Sequence, residues 1–294
     1  MRLLITGSNG LLGQKIVKYC QKNDISFLAT SKGQNRNQDC PEEHYASLDI
    51  TMLNQINQVF QAYRPTHIIH TAAITNVDQC ETNPLLCREV NVKATALLIR
   101  AAEIFNAHFQ LLSTDFVFDG AKGNYSETDE INPLSEYARS KADAEQFVQE
   151  YTNDWSIVRT IIVYGVGNNL SRSNLIVWAK GALDRAEPIN IIDDQFRAPT
   201  YADDLARGCV EILLRSKTGI YHLCGPETMS IFKIVERIAK YFNLSMQNMH
   251  KISTAELDQP APRPPITGFD LTKAKNDLNY APRTLENTLD LIFK

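Results

Sequence analysis

A chain of 294 residues with 44% hydrophobic and 22% charged residues has globular composition, and it is long enough to bury most of its apolar surface in one large domain or two modest ones. A net charge of −4 provides no basic field to draw a nucleic-acid backbone. The sequence contains no apolar run of about 18 residues to span a bilayer, and Leu3–Thr6 is too short for the core of a secretory signal. The six cysteines, at positions 20, 40, 80, 87, 209 and 224, show no metal-ligand spacing and are too sparse for a disulfide scaffold. They predict free thiols, no metal site and a cytoplasmic location.

Along the chain, short apolar runs alternate with helical patterns, which is the signature of parallel βαβ units. Strands are predicted at Leu3–Thr6, Ser26–Thr30, His67–Thr71, Phe109–Ser113 and Ser156–Arg159. Helices are predicted at Leu11–Lys22, Met52–Tyr63, Pro84–Phe105 and Glu136–Tyr151. Asn83-Pro84 marks a helix start, with a capping side chain followed by proline in the first turn. After Arg159 the alternation loosens, although Ile189–Ile192 and Gly219–Leu223 read as further strands. Asp258–Thr267 holds four prolines and reads as an ordered loop or a strap over a site.

The first turn carries Gly7-Ser8-Asn9-Gly10-Leu11-Leu12-Gly13, a G-x2-G-x2-G spacing directly behind an apolar strand. Glycines there allow a tight turn and let backbone N–H groups approach a pyrophosphate at the positive end of a helix. The expected fold is therefore α/β: a doubly wound parallel Rossmann-like sheet over residues 1–160 that binds NADP(H). A smaller C-terminal α/β substrate-binding region is expected over 161–294, with 190–222 returning strands to the main sheet. The end of the second strand offers Ser31 and Lys32, with Arg36 nearby, where an NAD enzyme would place an acid. A hydroxyl beside a lysine suits a 2′-phosphate. Asp49 and Ile50 are expected at the adenine ring.

Of eleven tyrosines, only Tyr137 is followed by lysine four residues later, at Lys141. That spacing sets both on one helical face, and the helix follows the strand ending Ser113-Thr114-Asp115, where ligands of open α/β sheets bind. An ammonium near a phenol at an effective dielectric of about 20 stabilises phenolate by roughly 3 kcal/mol. The tyrosine is then expected to titrate near 8 and to donate a proton to a carbonyl receiving hydride. Thr114 can hydrogen-bond the same oxygen.

With the glycine loop, His70-Thr71-Ala72-Ala73, Ser113-Thr114-Asp115-Phe116-Val117-Phe118-Asp119-Gly120, Tyr137-x3-Lys141 and Arg159-x4-Tyr164-Gly165 in view, the chain resembles the extended short-chain dehydrogenase/reductases. The S-T-D-F-V-F-D-G run and Asp194-Gln195-x3-Pro199-Thr200 resemble the dTDP-4-dehydrorhamnose reductase branch, over nearly the whole chain. The resemblance implies NADPH-dependent reduction of the C4 keto group of a nucleotide-linked 4-keto-6-deoxysugar, most specifically dTDP-4-dehydrorhamnose to dTDP-rhamnose. Thr114, Tyr137 and Lys141 are implied as catalytic, Ala72 and Ala73 as lining the nicotinamide side, and Asn91 as lying near the lysine. Implied substrate contacts are Thr75, Thr114, Asp115, Phe116 and Asn174, with Arg197 and Arg263 gripping the diphosphate.

Two departures qualify the resemblance. Arg197 stands where the branch often carries glycine, and it pairs with Asp193 or Asp194 if it is not an anchor. Lys15 replaces a glutamate that some reductases use in a magnesium-bridged dimer, so a homodimer would form without that metal. Two other readings of the same fold stay open. One is a nucleotide-sugar epimerase; the other is a non-catalytic NADP-binding regulatory subunit, resembling that of animal methionine adenosyltransferase. A 4,6-dehydratase would need glutamate where Phe116 follows Asp115.

Overall fold

The computed structural model describes residues 1–293. Its first half runs β1 (Leu3–Thr6), α1 (Leu11–Lys22), β2 (Phe27–Ser31), β3 (Tyr45–Ser47), α2 (Leu53–Tyr63), β4 (His67–His70), α3 (Val77–Thr82), α4 (Pro84–Arg88), α5 (Ala94–Ile104), β5 (His108–Thr114), β6 (Gly123–Tyr125), α6 (Glu136–Tyr151) and β7 (Trp155–Thr160). The second half adds β8 (Val163–Tyr164), α7 (Leu175–Asp184), β9 (Ile189–Ile192), β10 (Phe196–Arg197), β11 (Thr200–Tyr201), α8 (Ala202–Leu214), β12 (Gly219–His222) and β13 (Met229–Ser230). It ends with α9 (Ile231–Tyr241), β14 (Met249–Ile252), β15 (Ile266–Phe269), α10 (Thr272–Leu278) and α11 (Leu285–Phe293).

Seven strands form one parallel sheet in the order β12-β7-β5-β4-β1-β2-β3. Both of its faces are covered, which is why β1 and β5 are buried along their whole length and read as continuous apolar runs rather than alternations. Ile16, Val17, Leu205 and Cys209 from α1 and α8 pack on one face. Phe60, Leu98 and Val148 from α2, α5 and α6 pack on the other. The chain winds outward from β1 to β3, then crosses back to β4, so the strand order reverses between β1 and β4. At that reversal the loops diverge and leave a crevice.

The predicted helix over Pro84–Phe105 is present but interrupted, with one π-helical turn at Glu89–Lys93 between α4 and α5. Asn91 sits in that turn. Its side chain accepts from Ile74 N at 2.8 Å and donates to Ile74 O and to Ser140 Oγ, both at 3.0 Å. A wide turn of this kind places a side chain where a regular helix would not, and here it ties the loop after β4 to α6.

Within 190–222, β12 joins the main sheet beside β7. β9 does not: it pairs in parallel with β14, while its Ile189 and Ile191 are buried in a third cluster with Ile234 and Ile238 of α9. The place beside β7 is filled by β12, and α8 leads into that strand after packing on α1. Strand pairing also runs the other way across residue 160, because β6 of the first half pairs with β15 in a small four-stranded sheet.

Candidate active site

The glycine loop builds one end of a cleft of about 580 Å³. Gly7 has φ of +76°, and a Cβ there would lie 2.7 Å from Ala72 N and from Thr71 Oγ1, so the turn and its close approach to β4 both require glycine. Gly13 packs against Gly7 O and Ser8 Cα with no room for a Cβ. The N-cap of α1 is Gly10, which provides no side-chain cap, and the first turn holds no acid. The N–H groups that open a helix then remain available to an anion. Gly7, Asn9, Gly10, Leu11, Leu12 and Gly13 all line the cleft. Ser113, in the facing wall, carries a buried Oγ without a hydrogen-bond partner. These features fit the pyrophosphate and adjoining atoms of a dinucleotide.

Beside this loop, Asn9 fixes the segment that follows β2. Its N–H donates to Ser31 Oγ at 3.0 Å, its Nδ2 donates to Gln34 O at 2.8 Å, and its Oδ1 accepts from Arg36 N at 2.8 Å. Lys32 and Asp49 were expected to meet different parts of a cofactor. In the structure they pair with each other at 2.8 Å, Lys32 with 81% of its side chain exposed. That ammonium holds the Asp49 carboxyl below its usual range. Ile50 is buried. Ser31 and Lys32 lie at the carboxyl end of β2 beside the glycine loop, Asp49 and Ile50 follow β3, and none of the four lines the main cleft.

Thr114, Tyr137 and Lys141 come together in the cleft wall. Helix α6 begins where it does because Ser135 accepts from Ala138 N at 3.3 Å and Glu81 of α3 accepts from Glu136 N at 2.9 Å. One helical turn then carries Tyr137 and Lys141 to the end of β5. Tyr137 rests on Cys80 and Cys87, with Phe116 edge-on at 6.0 Å. Thr114 Oγ1 accepts from Phe116 N at 3.2 Å and donates to Asp115 at 3.0 Å.

The expected lysine-driven lowering of the Tyr137 pKa is not what this environment produces. Burial pushes the phenol above its ordinary value, and the Asp115 and Cys80 charges add to the shift; the Thr114 hydroxyl and the Arg172 guanidinium oppose it. Lys141 is pushed down to about 8, again by burial, against the pull of Glu145 and Cys87. Both groups lie out of water, so desolvation sets the direction of each shift. The consequence is a phenol that keeps its proton at neutral pH, the form that can donate it.

Around this centre, Ala73 and Thr75 line the cleft, whereas Ala72 lies behind Gly7 and packs into the core. His70 is buried and neutral, pushed down to about 3, between the hydroxyls of Thr6 at 2.7 Å and Thr95 at 3.1 Å. Asp115, Phe116 and Asn174 also line the cleft. Asn174 caps α7 by accepting from Val177 N at 3.3 Å and donates to Gly165 O at 2.7 Å.

The two arginines assigned to substrate are not in the cleft wall. Arg197 is 1% exposed. Its guanidinium donates to Phe196 O at 2.7 Å, Pro264 O at 2.6 Å and Pro265 O at 3.2 Å, and lies 3.8 Å from Asp115 rather than by Asp193 or Asp194. It also stacks over Phe116 at 5.5 Å. Arg263 pairs with Asp78 at 2.7 Å and donates to Ala261 O at 2.8 Å. Both arginines thus stitch the proline-rich strap to the body of the protein. A different arginine faces the cleft: Arg172, in the loop before α7, donates to Thr75 Oγ1. The sequence reading missed it, although an arginine two residues before a helix-capping Asn174, in a loop opened by Gly165 and Gly167, was a usable signal.

Lys15 also has an internal partner, Asp203 of α8, at 3.2 Å. All six cysteines are free. Among the described residues, no helix is long and apolar enough to cross a membrane.

Comparison with known proteins agrees with this geometry. The dTDP-4-dehydrorhamnose reductase of Aggregatibacter actinomycetemcomitans is 31% identical over 98% of this chain and 97% of its own. A crystal structure of dTDP-4-dehydrorhamnose reductase from Bacillus anthracis, in complex with NADP, superposes with a TM-score of 0.87 at 30% identity, covering 99% of this chain and 98% of that one. Methionine adenosyltransferase 2 subunit beta of Danio rerio is 30% identical over 90% of this chain and 80% of its own. The family model described as RmlD substrate binding domain matches residues 1–294, and the chain belongs to that family.

Proposed function

We propose that the protein is an NADP-dependent oxidoreductase that reduces the C4 keto group of dTDP-4-dehydrorhamnose. The observation that carries this reading is the meeting of Thr114, Tyr137 and Lys141 with the uncapped start of α1 in one cleft. NADPH supplies the hydride. Leu11, Leu12 and Gly13 would hold its pyrophosphate through backbone N–H groups, with Gly10 holding the turn by donating to Gly7 O; Lys32 would reach the 2′-phosphate, and Ala73 would let the nicotinamide approach closely. Tyr137, protonated at neutral pH, donates to the carbonyl oxygen as it gains negative charge. Thr114 hydrogen-bonds that oxygen, and Lys141 supplies positive charge beside the phenol. Residues 1–160 hold chiefly the cofactor, and 161–294 chiefly the nucleotide sugar.

Free thiols fit a reducing compartment such as the cytoplasm. Because Lys15 is committed to Asp203, a homodimer would form without a magnesium bridge at that position.

The test is NADPH oxidation by the purified protein with dTDP-4-dehydrorhamnose. Turnover is expected, and Tyr137→Phe is expected to lower it by roughly 10²–10⁴-fold with NADPH affinity little changed. A second reading, a cofactor-binding regulatory subunit, draws on the likeness to methionine adenosyltransferase 2 subunit beta. The same assay separates the two, since a regulatory subunit binds NADPH without turning it over.

A further inference from the structure

We propose that Arg172 binds the diphosphate of the nucleotide sugar, closing on it from the loop between β8 and α7. This rests on the functional reading above and assigns its anion-binding residue. The chemistry of that substrate calls for a cation at the mouth of the cleft, away from the glycine loop. Among the described residues that line the cleft, Lys141 and Arg172 are the basic ones. Lys141 is buried beside Tyr137, at the reacting end. Arg197 and Arg263 spend their donors on backbone carbonyls, Asp115 and Asp78. Arg172 is exposed and has no carboxylate partner; its hydrogen bond is to the neutral hydroxyl of Thr75, across the cleft.

Position and chemistry support the assignment together. The loop that carries Arg172 is anchored at its base on α1, because Gln14 donates to Asn168 O and accepts from Asn168 N, both at 2.7 Å. The base of the loop is therefore fixed relative to the glycine loop. The guanidinium reaches over to Thr75, at the end of the wall where its charge is felt by the Tyr137 phenol. A diphosphate joined to a sugar whose C4 meets Tyr137 lies one pyranose ring away from that phenol. A guanidinium matches phosphate oxygens with paired donors, and a charged acceptor makes a hydrogen bond about twice as strong as a neutral one. A diphosphate therefore displaces Thr75 as the partner of Arg172 and frees the Thr75 hydroxyl to bond the sugar.

The experiment is titration calorimetry on the NADPH-saturated full chain, with dTDP, thymidine and inorganic pyrophosphate as probes, for wild type, Arg172→Ala and Arg172→Lys. Arg172→Ala is expected to raise the dTDP dissociation constant about 10- to 150-fold, and the lysine variant to lose less. Thymidine and NADPH affinities should stay unchanged, and pyrophosphate affinity should fall along with that of dTDP. A dTDP affinity within threefold of wild type in Arg172→Ala overturns the assignment while leaving the reductase reading intact. If wild type does not bind dTDP and does not oxidise NADPH with dTDP-4-dehydrorhamnose, the reductase reading falls. Pyrophosphate then still decides for Arg172: binding weakened in Arg172→Ala supports an anion clamp, and no binding overturns it.

Discussion

At the glycine-loop end of the cleft, the groups offered to a ligand are backbone amides, held by turns that only glycine can make. Behind the opposite wall, where the proline-rich strap packs, the candidate groups are charged side chains, and Arg197, Arg263 and Asp115 already have partners within the protein. The difference concerns how much a local motif can specify. A backbone amide at a helix start is committed by the few residues around it. A guanidinium on a long flexible stem can satisfy a ligand or the protein itself, and its choice depends on which carbonyls and carboxylates the fold brings near.

The sharpest way to break this comparison is to remove the strap arginines. Arg197→Ala takes a donor from Phe196 O, Pro264 O and Pro265 O, of which Pro265 O keeps the Phe196 N–H, and leaves Asp115 without a cation. A loss of about 3–5 kcal/mol of stability is expected in urea unfolding. Asp115 is itself pushed up by burial despite its arginine, so the pair is held by its surroundings more than by mutual attraction. Arg263→Ala should cost less, about 1 kcal/mol, since Asp78 is partly exposed. Normal stability in Arg197→Ala with lost dTDP affinity would reverse the assignment and return Arg197 to the ligand.

Lys141 sharpens the other side, because it is a cation buried in the cleft wall at a cost to the fold. Its folded-state pKa of about 8 lies below the ordinary 10.5. Below pH 8 both folded and unfolded states carry the charge, and the folded state bears the full cost, about 3 kcal/mol. Between pH 8 and 10.5 the folded state gives up its proton while the unfolded state keeps it, so stability rises with pH. Lys141→Met is therefore expected to abolish turnover yet melt above wild type at pH 7, with the gap narrowing as pH rises through that window. A gap that does not change with pH would remove burial of the charge as its cause.

The smallest effect belongs to Lys32. Exposed and already paired with Asp49, it should contribute about 1 kcal/mol to 2′-phosphate recognition. Wild type is expected to bind NADPH more tightly than NADH, and Lys32→Asp to shift the ratio of dissociation constants toward NADH by roughly fivefold to tenfold. An unchanged ratio in fluorescence titration would move the recognition to Arg36 or to backbone groups.

Much of the cleft was legible in the sequence. The Gly7–Gly13 spacing, the run ending at Thr114 and the Tyr137–Lys141 pair all depend on contacts within one βα unit, where 3.6-residue and two-residue periods fix direction. Helix α6 begins and ends where its pattern placed it, and Asn83-Pro84 starts α4. Three features needed the tertiary structure. The π turn that aims Asn91 at Ile74 and Ser140 depends on packing against α6. The pairing of β9 with β14, away from the main sheet, depends on which sheet edge is free. The burial that keeps Tyr137 protonated and lowers Lys141 depends on every neighbour that excludes water. The roles of the arginines fall in the same class: Arg197 and Arg263 are neutralised by residues 82 and 185 positions away in the chain, and that distance closes only when the strap is laid across the fold. Local spacing thus determined that the glycine loop, Thr114, Tyr137 and Lys141 would meet in one cleft, while long-range packing decided which charges were paired within the protein and which remained free.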